Sequence, residues 1–295
     1  MHSVHIYKIN SRLGLKNRPA GGKTFNLGVE DGAEAVATSA YLSRFNGSSK
    51  IFSYVFPTPE KLNGTPYGAA LARHIKACAK RINTHTNGKS VQLAIGGDHS
   101  IATCSLLALL TRKNPKNVGY IQFDSHADVN SFGTSPSGNF HGMWMRSFIE
   151  TIDDATLAKV LSKRLRPEHI CIIGNLILDP GEIALLKKYK IRQLSQRAIA
   201  KDRRNTFLSS YIRQFPHLHV SFDIDVFDKT LAPATGTPNG KGLFPKDVFP
   251  LLDVIAQHPS LSVDLVEVNP KKRGAAKTIR LGQDVLTRLL QHQIQ

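Results

Sequence analysis

Acidic residues are scarce in this chain of 295 residues: 22 Asp and Glu stand against 39 Lys and Arg, a formal net charge of +17. Such an excess invites a polyanion partner, either nucleic acid or an acidic membrane. The basic residues are scattered, however. Their densest groups, Lys163 to Arg166, Lys201 to Arg204 and Lys271 to Arg273, are short, and none interleaves with aromatics. The charge is therefore read as solvated surface, and nucleic-acid binding is not expected. Cysteine is also sparse. Cys78, Cys104 and Cys171 are odd in number and far apart, which excludes a disulfide framework and a cysteine-built zinc site. Each sits in an apolar context, as a small core residue of a reducing compartment does. Long apolar runs are missing. The longest, near Leu106 to Leu110, is far too short to span a membrane. Met1 to Tyr7 lacks the basic flank and apolar stretch of a secretion signal, so a cytoplasmic location is expected. No Pro/Gly/Ser linker, charge run or repeat divides the sequence, and residues 1–295 are read as one domain.

What is present is a regular alternation. Apolar strand-like runs at Val4 to Ile6, Ile51 to Val55, Val91 to Ile95, Val118 to Phe123, His169 to Ile173, His217 to Phe222 and Leu261 to Val266 are separated by segments of helical spacing. The helices are expected at Asp31 to Leu42, Ala69 to Ile82, Ile101 to Leu110, Ala155 to Leu161, after Asp179-Pro180-Gly181-Glu182, Lys246 to Ile255 and Ala276 to Gln291. Alternation of this kind implies an α/β fold with a mainly parallel central sheet covered by helices on both faces. In such sheets ligands bind beyond the carboxyl ends of the strands.

Three of those ends carry metal-capable side chains. One strand runs into Gly96-Gly97-Asp98-His99-Ser100. A second runs into Asp124-Ser125-His126-Ala127-Asp128-Val129-Asn130, and a third into Ser221-Phe222-Asp223-Ile224-Asp225. In an extended backbone, residues two apart share a face, so Asp124, His126 and Asp128 are expected to point together, as are Asp223 and Asp225. Buried without partners, such groups would cost several kcal/mol. A lone aspartate after a strand is usually a turn or a helix cap, a role that suits Asp98, which is left outside the site. Two histidines and four aspartates at three strand ends are not explained that way. Four carboxylates balance two divalent cations, and an oxygen-rich set with a minority of imidazole favours Mn²⁺ over copper or a thiolate-seeking metal. Two such ions share a water and lower its pKa toward neutrality.

At these residues the chain resembles the ureohydrolase superfamily, and within it the arginases. Further matching stretches are Gly28-Val29-Glu30-Asp31-Gly32, Ser137-Gly138-Asn139-Phe140-His141-Gly142, Asp179-Pro180-Gly181-Glu182, Ala234-Thr235-Gly236-Thr237-Pro238 and Glu267-Val268-Asn269-Pro270, so the likeness runs nearly the full length. It implies a three-layer α/β/α fold, two Mn²⁺ per subunit, a homotrimer, and hydrolysis of L-arginine to L-ornithine and urea. By this resemblance His99, Asp124, Asp128 and Asp223 hold one ion, and His126, Asp124, Asp223 and Asp225 the other. Asp128 also orients the water shared between the ions. Glu267 faces the substrate guanidinium, a cation that a carboxylate can fix in a charge-assisted pair. His141 supplies the leaving amine with a proton. Asn130, Ser137 and Asn139 take the α-carboxylate, Asp179 takes the α-amino group, Glu182 belongs to the substrate-binding set, and Thr237 adds a contact near the guanidinium. The rival substrates are those of agmatinase, guanidinobutyrase and formiminoglutamase. Agmatine has no carboxylate for the Ser137 stretch to bind. A remoter rival is a weakly active relative that binds polyanions.

Several positions depart from the family. Leu176 and Ile177 stand where Arg and Asp are usual, which weakens the negative field at the substrate's amino group and predicts a weaker affinity for arginine. Val226-Phe227-Asp228-Lys229 replaces a more usual Gly-Leu-Asp-Pro behind the metals. Trp144, just after His141-Gly142, is expected either at the cavity entrance or in the core. Gly21-Gly22-Lys23-Thr24 suggests a phosphate loop, but Asn17 stands where its first glycine belongs. Asp98-His99-Ser100 contains the residue types of a catalytic triad, but sequence neighbours cannot adopt its geometry.

Overall fold

A computed structural model describes residues 3–16, 26–45, 49–88 and 90–293. The Gly21 to Thr24 stretch lies outside them. Eight strands form one sheet: β1 (Ser3–Asn10), β2 (Ser49–Val55), β3 (Ser90–Gly96), β4 (Val118–Phe123), β5 (Ile170–Ile173), β6 (Arg192–Leu194), β7 (His217–Asp223) and β8 (Leu261–Val266). Their order is β2-β1-β3-β8-β7-β4-β5-β6, and every pairing is parallel. The helices are α1 (Gly32–Val36), α2 (Ser39–Leu42), α3 (Tyr67–His85), α4 (Ala102–Arg112), α5 (Ala155–Val160), α6 (Pro180–Tyr189), α7 (Gln196–Lys201), α8 (Thr206–Ile212), α9 (Pro245–Ile255) and α10 (Ala275–Leu290).

The strand order decides where the site lies. After β3 the chain jumps to β4, builds outward to β6, and returns to lay β7 and β8 into the gap. Four central neighbours, β3, β8, β7 and β4, therefore end side by side at about 4.8 Å spacing. Register fixes their ends: Ile95 pairs with Leu265, Asp223 with Val266, and Phe123 with Phe222. All of β4 and β8 is buried, the polar Gln122, Ser262 and Asp264 included. Two apolar cores flank the sheet. One takes Ile121, Phe123, Val220 and Phe222 against α9 and α10; the other takes Tyr120, Ile170 and Ile172 against α3 and α4. Phe222 is fully buried on the first face, and truncating it to alanine would cost about 3–5 kcal/mol.

The helix expected from Asp31 to Leu42 is two helices. Ala37 leaves helical backbone (ψ 56), and Thr38 restarts it by accepting the Tyr41 N–H at its side-chain oxygen. β6, α7 and α8 had no counterpart in the sequence reading. β6 has three residues and is mostly exposed, too short and too polar for an apolar run to mark it. The three cysteines are buried and unpaired. Among the described residues, no helix is long and apolar enough to cross a membrane.

Candidate metal centre and substrate cavity

The ligand-type residues converge as expected, but not through an extended backbone. The strands stop at Phe123 and Asp223, and the chain turns at once. Asp124 Oδ1 accepts the backbone N–H of His126 at 2.7 Å, and Asp223 Oδ1 accepts that of Asp225 at 2.8 Å. Each leading aspartate thus closes a tight turn on its own second neighbour, as short polar side chains do when they compete for backbone donors. The turn brings the second residue back over the strand end. Asp128 joins them from a left-handed backbone (φ 55), a conformation a non-glycine residue adopts at a cost of roughly 1–3 kcal/mol. Its carbonyl is held by Met145 N at 3.1 Å. Glu267, just past β8, is also left-handed (φ 64), with its N–H on Gly97 O at 2.9 Å. Gly174 completes the floor: a Cβ there would lie 1.8 Å from Asp124 O, so only glycine lets the segment after β5 pass beneath.

His99 Nδ1 lies 3.1 Å from Asp124 Oδ2, 2.8 Å from Asp128 Oδ2 and 3.3 Å from Asp223 Oδ2. His126 Nδ1 lies 3.4 Å from Asp124 Oδ1 and 3.2 Å from Asp225 Oδ2. The two oxygens of Asp124 therefore face the two histidines separately, as in a carboxylate between two cations. Among the described residues, His99/Asp124/Asp223 and Asp124/His126/Asp225 are the two sets whose ligand atoms converge within 4.8 Å. One atom tests whether a cation fits. His99 Nδ1 is buried and has three carboxylate oxygens in reach, yet none is in hydrogen-bonding geometry. A buried imidazole nitrogen without a partner is costly, and a lone pair aimed at a cation removes that cost. The donor set fits two hard divalent ions, manganese among them.

The electrostatics say the same. Burial drives the Asp223 carboxyl well above its ordinary range, and the Asp225 and Asp124 charges push it further. Burial and the Asp124 charge raise Asp128 as well. Burial works against charge on His99 and His126, but the surrounding carboxylates outweigh it and raise both. Asp124 is held below the carboxylate range despite its burial, by the imidazoles of His126 and His99 beside it. So many buried anions need compensating positive charge.

Beneath the ligands runs a polar ladder that the sequence reading did not single out. His99 Nε2 meets Ser221 Oγ at 2.9 Å, Ser221 Oγ donates to Asp264 Oδ1 at 2.5 Å, and Asp264 Oδ2 lies 2.8 Å from His219 Nε2. Gln122 Nε2 donates to Asp124 Oδ2 at 2.8 Å, and Tyr120 Oη donates to Gln122 Oε1 at 2.9 Å. Assigning the Nε2 proton of His99 to the Ser221 bond leaves Nδ1 as its lone-pair nitrogen, the arrangement that orients metal-binding histidines. The signal was present: Tyr120, Gln122 and Asp124, and likewise His219, Ser221 and Asp223, are polar positions two apart inside otherwise apolar strands. Asp98 is a cap, as expected, accepting from Ser100 N at 2.9 Å and Gly14 N at 3.1 Å. Trp144 is core, fully buried, and does not line the entrance. The Phe227 ring is buried, and the loop behind the metals is held by Asp228 N on Leu243 O at 3.0 Å.

Above the cluster opens a cavity of about 460 Å³. His141 and Glu267 meet on its wall, Nδ1 to Oε1 at 3.5 Å. Burial opposes charge on His141, but Glu267 more than offsets this and raises its pKa. Glu267 Oε1 also accepts His99 N at 2.9 Å, and its Oε2 accepts Asn26 Nδ2 at 2.7 Å, a partner absent from the sequence reading. Asn130, Ser137, Asn139, Asp179 and Glu182 line the outer rim. Asn130 Nδ2 donates to Asp179 Oδ2 at 2.9 Å, so the expected carboxylate-side and amine-side residues are joined. Glu182 Oε2 accepts Asp179 N at 3.1 Å, and burial raises its carboxyl to about 7. Thr237 also lines the cavity, but its hydroxyl donates to Asp225 Oδ2 at 2.7 Å, which holds a ligand in place.

Comparison with known proteins agrees with this geometry. The family model described as the arginase family matches residues 19–291. The non-hepatic arginase 3 of Xenopus laevis is 34% identical over 294 residues, covering 91% of this chain and 77% of that protein. The mitochondrial arginase-2 of Bos taurus is 31% identical over 311 residues, covering 97% and 86%. An Entamoeba histolytica arginase, solved in complex with L-ornithine, shares the fold with a TM-score of 0.84 at 22% identity over 98% of both chains. The fold extends to a Bacillus subtilis formimidoylglutamase (TM-score 0.74, 18% identity, 100% of this chain and 88% of that one). A Thermoplasma volcanium agmatine ureohydrolase also has it (0.71, 18%, 99% and 90%).

Proposed function

The chain belongs to the arginase family of ureohydrolases, and from that premise we propose that it is a manganese arginase, hydrolysing L-arginine to L-ornithine and urea. The observation that carries the proposal is the joining of three parts in one cavity: the two-histidine, four-aspartate floor, the His141–Glu267 pair on the wall, and the Asn130–Asp179 pair at the rim.

Two Mn²⁺ ions held by His99, Asp124, Asp128, Asp223, His126 and Asp225 would supply a water acidified into the neutral range. The remaining work falls to side chains. Glu267 pairs with the planar guanidinium and holds its central carbon over the floor, an orientation that point-charge attraction alone would not fix. Asp128 accepts a hydrogen bond from the attacking water and aims it. His141, kept protonated over a wider pH range by Glu267, gives its proton to the departing amine, which would otherwise be too basic a leaving group. Asn130, Ser137 and Asn139 offer neutral donors to the α-carboxylate, while Asp179 and Glu182 receive the α-amino group. Ile177, 56% exposed beside this rim, contributes no charge, consistent with a modest affinity for the amino end.

Urea release from L-arginine, agmatine, guanidinobutyrate and formiminoglutamate, measured with and without Mn²⁺ after chelation, tests the reading. Arginine is expected to be the preferred substrate, with activity restored by manganese. No turnover of arginine at any manganese concentration, or a preference for another member of the panel, overturns it. The proposal includes a homotrimer, which sedimentation velocity would show.

A further inference from the structure

The single tryptophan of the chain is placed where its polar atom matters. Trp144 opens the short helical stretch Trp144–Phe148 that follows His141, and it is fully buried. Its ring packs edge-on against Tyr120 and Phe148, at 6.2 and 6.1 Å between centroids, and lies 5.1 Å from the His99 ring. A buried indole N–H needs an acceptor, and leaving it without one would cost about 1–3 kcal/mol. The acceptor here is a carboxylate of the metal floor: Nε1 donates to Asp128 Oδ2 at 3.0 Å. The same oxygen lies 2.8 Å from His99 Nδ1. The backbone one residue later, Met145 N, donates to the carbonyl of Asp128 at 3.1 Å.

We infer that Trp144 is a positioning residue for Asp128, clamping its carboxylate toward the His99 side of the metal floor through the indole N–H. The inference rests on the two-ion reading of that floor. Unlike Asp124 and Asp223, Asp128 closes no turn on its own second neighbour, and its backbone is left-handed. Its side chain therefore depends on an outside group for orientation. The indole of Trp144 holds the carboxylate, while the N–H of the next residue, Met145, holds the carbonyl. Because Asp128 faces His99 and not His126, the effect belongs to one ion position. Loss of an outer partner of a metal ligand typically weakens metal binding by about 10–100-fold.

The test uses metal counting on the chelated full-length protein, by manganese paramagnetic resonance and calorimetry, for the wild type and Trp144→Phe. Phenylalanine keeps an aromatic ring in the core and removes only the donor. The wild type is expected to bind two Mn²⁺, and the variant to keep one at wild-type affinity and bind the other about tenfold or more weakly. Equal binding of both ions by the two proteins overturns the inference and leaves the two-ion reading intact. A wild type that binds no manganese overturns the two-ion reading itself. Equal weakening of both ions also overturns the inference, because it marks general loosening of the core. A second measurement needs no variant. With one tryptophan, the wild type gives one indole ¹⁵N–H resonance. It is expected to be shifted downfield, slow to exchange, and broadened away by the first equivalents of Mn²⁺. An indole proton that exchanges freely and keeps its linewidth with Mn²⁺ bound sinks the assignment.

Discussion

The floor and the rim of the cavity are built in different ways. Floor residues stand within a few positions of the ends of β3, β4 and β7, central parallel strands of the sheet, over a ladder of buried polar side chains, with Asp124 and Asp223 closing turns by their own oxygens. Rim residues stand on the loop from Asn130 to Asn139 and at the start of α6, tied to one another by single hydrogen bonds such as Asn130 to Asp179. A network anchored in a sheet holds its members to a fraction of an ångström, whereas a loop can be altered without disturbing the core. On the proposed function, reaction type and substrate choice are carried by separable parts of this molecule. The floor keeps the two histidines and four aspartates that the resemblance implies, while Leu176 and Ile177 depart from the family in the segment before Asp179.

The harshest way to break the comparison is at the floor. Asp124→Asn removes the one carboxylate that faces both histidines and is expected to weaken both ion positions by more than the roughly 10–100-fold that losing an outer partner costs. Calorimetry of manganese binding measures it, and two undisturbed sites would show that Asp124 does not lie between the ions. Ser221→Ala leaves the ligands alone and cuts the ladder, so a loss near the lower end of that range is expected, confined to the His99 side.

Between floor and rim, Glu267→Gln removes the charge that raises His141. A raised histidine contributes stability that is fully present below its ordinary pKa of 6.5 and is lost as pH rises through its folded value. With Glu267 neutral, burial opposes the charge with less to offset it, and the His141 titration followed by imidazole ¹⁵N shifts is expected to move down from that of the wild type. An unchanged titration would mean that another group protonates it.

At the rim, Asn130→Ala is expected to raise KM for arginine about tenfold, in line with the loss of one hydrogen bond to a charged group, with manganese binding unchanged. A loss of metal binding would erase the distinction between floor and rim. Glu182 supplies a pH signature. Its folded carboxyl is raised to about 7 from an ordinary value of 4.5, so the folded state binds more protons than the unfolded state in that window, and stability falls as pH rises through it. Urea unfolding of chelated Glu182→Gln at pH 5 and pH 8 is expected to show a pH slope smaller than the wild type's by about 1–3 kcal/mol. Identical slopes would show that Glu182 does not titrate there. The smallest effect is that of Ile177→Asp, expected to lower KM for arginine two- to threefold, the roughly 0.5 kcal/mol an exposed charge contributes. No change would mean that the missing acid is of no consequence.

Much of this was legible before the fold. Strands β3, β4, β7 and β8 were marked by short apolar-rich stretches, since both of their faces are buried, and the ligand residues announce themselves by lying at or just beyond the ends of three of them. The short, mostly exposed β6 gave no such signal. The local geometry of the ligands was misread. The spacing of Asp124, His126 and Asp128 suggested an extended face, but the backbone turns, because Asp124 Oδ1 is better satisfied by the His126 N–H than by continued strand. Spacing of two residues fits both conformations, so the sequence could not separate them. Trp144 is a case of the same kind: its neighbours in sequence allow either core or entrance, and its acceptor, Asp128, lies 16 residues away.

By itself the sequence determined the residue types of the metal floor, the α/β alternation and the family, because each is carried by short stretches whose chemistry is local. Only the tertiary structure decided that β8 and β7 fill the gap between β3 and β4, which brings His99, Glu267, Asp223 and Asp124 to one edge. It alone decided that Ser221, Asp264 and His219 form a chain behind His99, and that an indole reaches Asp128. Hydrogen bonds between strands far apart in sequence depend on strand order and register, and those are set by how the whole sheet buries its two faces.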